Sequence, residues 1–215
     1  MEYLPNTSTY LTITSEDFDL LTKRINALGT SKSHLIRLIM YLYRTKELTR
    51  KELSDYEKHI KELPKEKVDK EIIWVSNDLM EVYETKKMYL YSVNQYLSTL
   101  LHVGLHDKNS KWTISDTKAD KRPRTYRIDN DLAEFLVTFS DKYGISQTLL
   151  FNYAFQFKLK DYPRNMPKTN SDVKQLYLTQ NSYDNLNIKG IRTFDVLDKQ
   201  IRTLKSCLEK GEPMF

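Results

Sequence analysis

Two stretches of the chain carry residue types that can hold an anion. In GTSKSHLIRLIMYLY, residues 29–43, a glycine is followed by Thr30, Ser31, Lys32 and Ser33 and then by an apolar helical run. Hydroxyls at a helix N-terminus either cap the helix or join its free amides in binding a phosphate, and these residue types suit both. From His106 to Arg127, seven Lys or Arg (Lys108, Lys111, Lys118, Lys121, Arg122, Arg124, Arg127) stand against Asp107, Asp116 and Asp120. Such an excess can lie along a polyanion or be a solvated linker. His102 and His106, four apart, can share a helix face as metal ligands do, but no cysteine or further histidine is near in sequence and Asp107 is out of phase. The sequence therefore assigns no metal site and no cofactor. No glycine loop for phosphates and no nucleophile–base constellation is present, so no catalytic residue is assigned and an enzyme is not expected.

The bulk composition is permissive. The 215 residues carry a net charge of +5 with a pI near 9.0, a mild bias toward anionic partners. Fifteen Tyr and only five Gly argue against a glycine-rich nucleotide fold, and most of the tyrosines fall at apolar helix positions. Cys207 is the single cysteine, which excludes an intrachain disulfide and suits a reducing compartment. The N-terminus lacks the pattern of a signal peptide, and no run approaches the ~18 apolar residues of a membrane helix, so a soluble cytoplasmic protein is expected.

The elements that must position these residues repeat. In TYLTITSEDFDLLTKRINALG, Leu11 and Ile13 alternate with Tyr10, Thr12 and Thr14 as in a half-buried strand. Ser15 reads as an N-cap, Phe18, Leu21, Ile25 and Leu28 as an apolar helix face, and Gly29 as its stop. Leu35, Leu38, Ile39 and Leu42 mark a second helix. Shifted by 115 positions without a gap, Tyr126 and Ile128 fall on the strand pair, Asn130 on Ser15, Gly144 on Gly29 and Ser146 on Ser31. A weaker copy, shifted by 62, places Ile73 and Val75 on the strand pair and Asn77 on the cap, with Tyr91 where the glycine was. A fourth begins at Leu176 and Leu178 and meets Gly190 about one turn early. Thr49 to Leu63 has a capping box, Thr49 with Glu52, and reads as a connector helix ended by Pro64.

A strand–helix–helix repeat with a polar, Ser-containing turn resembles the ribbon-helix-helix family of MetJ/Arc-like DNA-binding proteins, and SKSHLIR looks like the start of that family's second helix. The resemblance covers most of the chain. It implies a mainly α protein with short β-ribbons, organised as two tandem ribbon-helix-helix pseudo-dimers. Residues 1–106 would form the first module (repeats 9–43 and 71–105, connector helix 49–63), 107–123 a basic linker, and 124–215 the second module (repeats 124–157 and 174–210). Residues 158–173 read as a further linker.

In that family the paired strands enter the DNA major groove. The resemblance, combined with period-2 geometry, implies base contacts from Thr125, Arg127, Asp129, Gln175, Tyr177 and Thr179 in the second ribbon. In the first it implies Tyr10, Thr12 and Thr14, opposite Ile72, Trp74 and Ser76. Backbone phosphates would be held by Thr30, Ser31, Lys32, Ser33, Ile145 and Ser146 at the helix turns and by Lys121, Arg122 and Arg124 in the KRPR run. The function expected is sequence-specific binding of double-stranded DNA as a transcriptional regulator, with self-association on DNA left open. Richness in Lys, Ile, Tyr and Asn suits an AT-rich mobile element, a virus or plasmid, acting in the host cytoplasm. Two alternatives stand beside it: an accessory factor for plasmid transfer or partition, and a protein-interaction module that docks a partner through Ile72 and Trp74.

Overall fold

The computed structural model describes residues 6–86, 90–110, 112–157, 171–186 and 193–214. In chain order these form β1 (Asn6–Thr14), α1 (Ser15–Leu28), α2 (Lys32–Leu42), α3 (Arg50–Glu62), β2 (Val68–Ser76), α4 (Asn77–Lys86) and α5 (Val93–His106). There follow β3 (Lys121–Asp129), α6 (Asn130–Tyr143), α7 (Gln147–Phe155), β4 (Ser171–Thr179), α8 (Gln180–Leu186) and α9 (Thr193–Lys210). The fold is mainly α with two short antiparallel ribbons, β1 with β2 and β3 with β4. Residues 158–170 of the expected second linker and Gly190 lie outside the described residues.

Each strand runs into its helix with no loop between, and this moves the caps. In β1, β3 and β4 the last strand residue does the capping: Thr14 Oγ1 accepts the Asp17 N–H at 3.2 Å, Asp129 Oδ1 that of Asp131 at 3.2 Å, and Thr179 Oγ1 that of Ser182 at 3.3 Å. Ser15 and Asn130, the expected caps, are instead the first residues of α1 and α6. Gly29 and Gly144 end α1 and α6 in the left-handed region, with φ of 57° and 60°, where a side chain is strained. The capping box of α3 forms as expected, Thr49 with Glu52.

The ribbons bury one face. Leu11 and Ile13 with Ile73 and Val75, and Ile128 with Leu176 and Leu178, are all buried. The helices behind them cross over: α5 packs on β1 and α2 on β2, while α9 packs on β3 and α7 on β4. Each repeat's second helix thus covers the strand of the other repeat, and neither repeat encloses a core alone. Both halves share one continuous apolar cluster.

The stretch expected as a basic linker is structured. Its KRPR run is the first half of β3, not a connector. The residues before it dock on α1: Ser115 N–H donates to the Lys23 carbonyl at 3.0 Å, Ala119 N–H to that of Asn26 at 2.8 Å, and Asn26 Nδ2 to that of Asp116 at 3.0 Å. Trp112 lies between Arg24, whose guanidinium is 4.8 Å from the ring centre, and Tyr153 of α7, also at 4.8 Å. Lys111 falls outside the described residues.

The apolar face of α1 keeps Leu21 and Leu28 buried and Ile25 packed on the core as expected, but departs from it at its first turn. Phe18 is 37% exposed, and the buried stripe runs through Asp17, Leu21, Arg24 and Leu28. Two charges therefore sit on the buried side, two turns apart with Leu21 between them. Arg24 donates from Nη1 to the Gly104 carbonyl at 3.3 Å and from Nη2 to that of Leu105, closing the end of α5. Burial lowers the Arg24 guanidinium to about 10. Among the described residues no helix is long and apolar enough to cross a membrane.

Candidate nucleic-acid interface

The register fixes what each ribbon presents on the face away from the helices. In the second, Thr125 lies opposite Gln175, Pro123 opposite Tyr177, and Arg127 opposite Val173. Thr125, Arg127, Pro123 and Gln175 are exposed, and Tyr177 is 45% exposed. An exposed arginine and glutamine near one another on a two-stranded ribbon can reach the edges of guanine and adenine.

Two of the expected contacts in this ribbon are helix caps. Thr179 is 2% exposed, and Asp129 is half-buried, capping α6 while accepting from Arg202 Nη2 at 2.9 Å. Thr14 of β1 is likewise a cap, 1% exposed, while Ser76, the last residue of β2, is buried at 4% without a partner for its hydroxyl among the described residues. Period-2 counting overruns here because the last strand residue turns into the helix, and at Thr14, Asp129 and Thr179 its side chain goes to helix amides.

The cations of the KRPR run divide between the two faces. Lys121 is half-buried, and its alkyl stem packs on Gly29, where an added Cβ would come within 2.9 Å of the Lys121 Cδ. Arg122 and Arg124 alternate onto the helix side, yet both are exposed. Arg122 Nε is 3.6 Å from Asp120, and the Arg124 guanidinium lies 4.6 Å over the ring of Tyr183.

The two glycine turns have different surroundings. At the first, Ser31 and Ser33 are exposed, and Ser31 stands at the N-cap of α2 without making a side-chain cap bond. The Thr30 hydroxyl has no partner, while Lys32 pairs with Glu71 of β2 and lies 5.4 Å over Phe18. Capping is thus not what these hydroxyls do. At the second, Ile145 is fully buried and belongs to the core, and Ser146 caps α7 through the Leu149 N–H at 3.2 Å. The Gly144 carbonyl accepts from Arg37 Nη1 at 2.9 Å and lies 2.8 Å from His34 Nδ1, so this turn faces the first half of the chain.

The first ribbon presents a more apolar face. Tyr10 lies opposite Ile72, Ser8 opposite Trp74, and Thr12 opposite Lys70. Ile72 is 73% exposed, Trp74 54% and Tyr10 46%, and the Lys70 ammonium sits 5.4 Å over the Tyr10 ring. Thr12 is half-buried at an occupied strand edge: its N–H donates to Ser98 Oγ at 2.9 Å, and its carbonyl lies 3.1 Å from the Tyr56 hydroxyl.

A polar cluster unforeseen in the sequence lies behind that edge. Asp17 Oδ1 is 2.8 Å from His102 Nδ1 and 2.9 Å from His106 Nε2, and Oδ2 is 3.1 Å from the Tyr56 hydroxyl. Tyr56 stacks on His102 at 4.6 Å, and His59 lies 6.3 Å from the same ring. Burial pushes the Asp17 carboxyl up, but the hydrogen bonds and charge of His102, with His106 and Thr14, outweigh it and hold the group at about 2. The i, i+4 histidine spacing was the visible half of this cluster. The carboxylate comes from a helix about 85 residues earlier, hidden because the apolar residues of α1 pointed to Phe18 in that first turn.

No protein-family model matches the chain, and no curated protein or solved structure matches it either.

Proposed function

We propose that the chain binds double-stranded DNA with sequence preference, laying the outer face of its second ribbon in the major groove, in the manner of a tandem ribbon-helix-helix transcriptional regulator. The observation that carries this is the exposed set Thr125, Gln175 and Arg127 on adjacent strands, with Arg122 and Arg124 exposed on the same ribbon. A two-stranded ribbon has the width the major groove admits, and arginine and glutamine discriminate guanine and adenine through paired hydrogen bonds. Arg122, Arg124 and the hydroxyls of Ser31 and Ser33 supply phosphate contacts, which fix register without reading sequence. The two strands of each ribbon differ, so the bound site need not be palindromic. This reading makes the protein a non-enzyme of the cytoplasm, and a mobile-element origin suits it. A transfer or partition factor would use the same contacts at a site away from promoters.

A second reading rests on the first ribbon. Ile72, Trp74 and Tyr10 form an exposed apolar face poorly matched to a polar groove, and such a face suits a protein partner or a second copy on neighbouring DNA. Selection from a random duplex library with the full chain tests the two. Enrichment of a defined, non-palindromic motif supports the DNA reading. Weak retention that vanishes with salt, and no motif, would leave the protein-docking reading in its place.

A further inference from the structure

We propose that Asp17, His102 and His106 form a binding site for a divalent transition-metal ion of the zinc type. The three ligating atoms lie within 4.8 Å of one another. Three of the chain's four histidines gather here, although they come from two different helices.

Both imidazoles aim at the same oxygen, Oδ1, at 2.8 and 2.9 Å. Ligand atoms around a tetrahedral ion with bonds near 2.0–2.1 Å stand about 3.3 Å apart, so each imidazole nitrogen would draw back from Oδ1 by about half an ångström while the two nitrogens, within 4.8 Å of one another, swing toward each other by side-chain rotation. The histidines are one turn apart on α5, the spacing by which a single helix offers two imidazoles to one ion. A set of two nitrogens and one carboxylate oxygen selects zinc, cobalt or nickel over magnesium or calcium.

The supporting contacts are those of a held ligand. Oδ2 of Asp17 faces the Tyr56 hydroxyl, and the Asp17 amide is bonded to Thr14 Oγ1, which fixes the first turn of α1. The carboxylate side is sealed at 2% side-chain exposure, while the imidazoles are 26% and 31% exposed, giving an ion a route from solvent. The Tyr56 hydroxyl also lies 3.1 Å from the Thr12 carbonyl, so its one proton is shared between the site and the edge of the first ribbon. An ion that redistributes charge on Asp17 therefore acts directly on the hydrogen bond at that strand edge. The site stands whatever the ribbons bind.

The test is titration of the full chain, stripped with a chelator, with Co(II), whose visible absorption reports nitrogen and oxygen ligation, followed by Zn(II) competition. One ion per chain is expected, with affinity in the micromolar range or tighter. His106→Gln should weaken binding by at least ~10-fold, and His34→Gln should not. No one-to-one binding up to about 100 µM of either ion, or equal affinity in His106→Gln, overturns the site and leaves a hydrogen-bonded carboxylate. If His106→Gln fails to fold, the ring-nitrogen resonances of the unaltered chain decide. Zn(II) shifts at His102 and His106 but not at His34 support the site, and their absence overturns it.

Discussion

Arg37 donates from Nη1 to the carbonyl oxygen of Gly144 at 2.9 Å, across the join between the two halves of the chain, while its Nε donates to the Trp74 carbonyl at 2.7 Å. One guanidinium thus ties the glycine turn after α6 to the edge of the first ribbon. The second half carries a counterpart at the edge of its own ribbon: Asn152 donates to the Tyr177 carbonyl at 2.9 Å and accepts from the Thr179 N–H at 2.8 Å. Helix side chains thus occupy the edge at Trp74 in the first ribbon and at Tyr177 and Thr179 in the second. Replacing Arg37 with Ala removes two charge-assisted bonds to backbone carbonyls, and we expect a loss of about 1–2 kcal/mol in urea unfolding. An unchanged midpoint would mean that the join is held by apolar packing alone.

Thr14 and Thr179 distinguish a cap from a base contact. Each is buried and accepts a helix amide, so Thr14→Ala and Thr179→Ala should each cost roughly 1 kcal/mol of stability. Measured under conditions where the variants stay folded, their affinity for any DNA duplex should match the unaltered chain. A selective loss of binding without a loss of stability would return these residues to the outer face.

The alternation of Leu11 with Ile13, the left-handed glycines and the capping box at Thr49 were legible because each is a local signal that tertiary packing left undisturbed. Other features left no such trace. The strands begin near residues 6, 68, 121 and 171, earlier than alternation suggests, and the first half of β3 is largely exposed. At Arg122 and Arg124, for example, both faces of β3 are wet, and no apolar period is written there. Lys70 was missed on the outer face for the same reason. Asp17 was missed because a buried charge is recognisable only through its partners, and His102 and His106 lie 85 and 89 residues away. The docking of residues 112–119 on α1 rests on backbone carbonyls and one indole, which have no spacing rule.

The buried tyrosines set a limit at high pH. Burial pushes the Tyr43, Tyr83 and Tyr153 phenols up, and the Asp107 carboxylate beside Tyr43 adds to its shift. Tyr43 donates to Asp107 Oδ2 at 2.7 Å and Tyr83 to the Met40 carbonyl at 2.6 Å, while the Tyr153 oxygen accepts from the Met214 N–H at 2.8 Å. In the unfolded chain a phenol loses its proton near pH ~10, while the folded chain still holds it. The unfolded state then binds fewer protons, so stability is fully present below about pH 10 and falls as pH rises past it, by up to about 1.4 kcal/mol per pH unit for each buried phenol. Urea unfolding between about pH 9 and pH 11, followed with phenolate absorbance, should show a falling midpoint and a late, cooperative ionisation. Gradual ionisation of all tyrosines in the folded chain would contradict this.

Arg127 and Arg122 separate reading from holding. Arg127 stands on the outer face beside Thr125 and Gln175, whereas Arg122 alternates onto the opposite face at the strand's exposed end. If the outer face lies in the groove, Arg127→Ala costs about 1–3 kcal/mol at a preferred duplex and relaxes the preference at one base position. Arg122→Ala removes a phosphate contact, so it should weaken binding to preferred and random duplexes alike and lower the salt slope by about one counterion. Titrations of both variants on one preferred and one scrambled duplex, at two salt concentrations, give the comparison. Equal losses on the two duplexes for both variants would show that the ribbon holds DNA without reading it. A loss confined to the preferred duplex for Arg122→Ala would exchange the two faces of the strand.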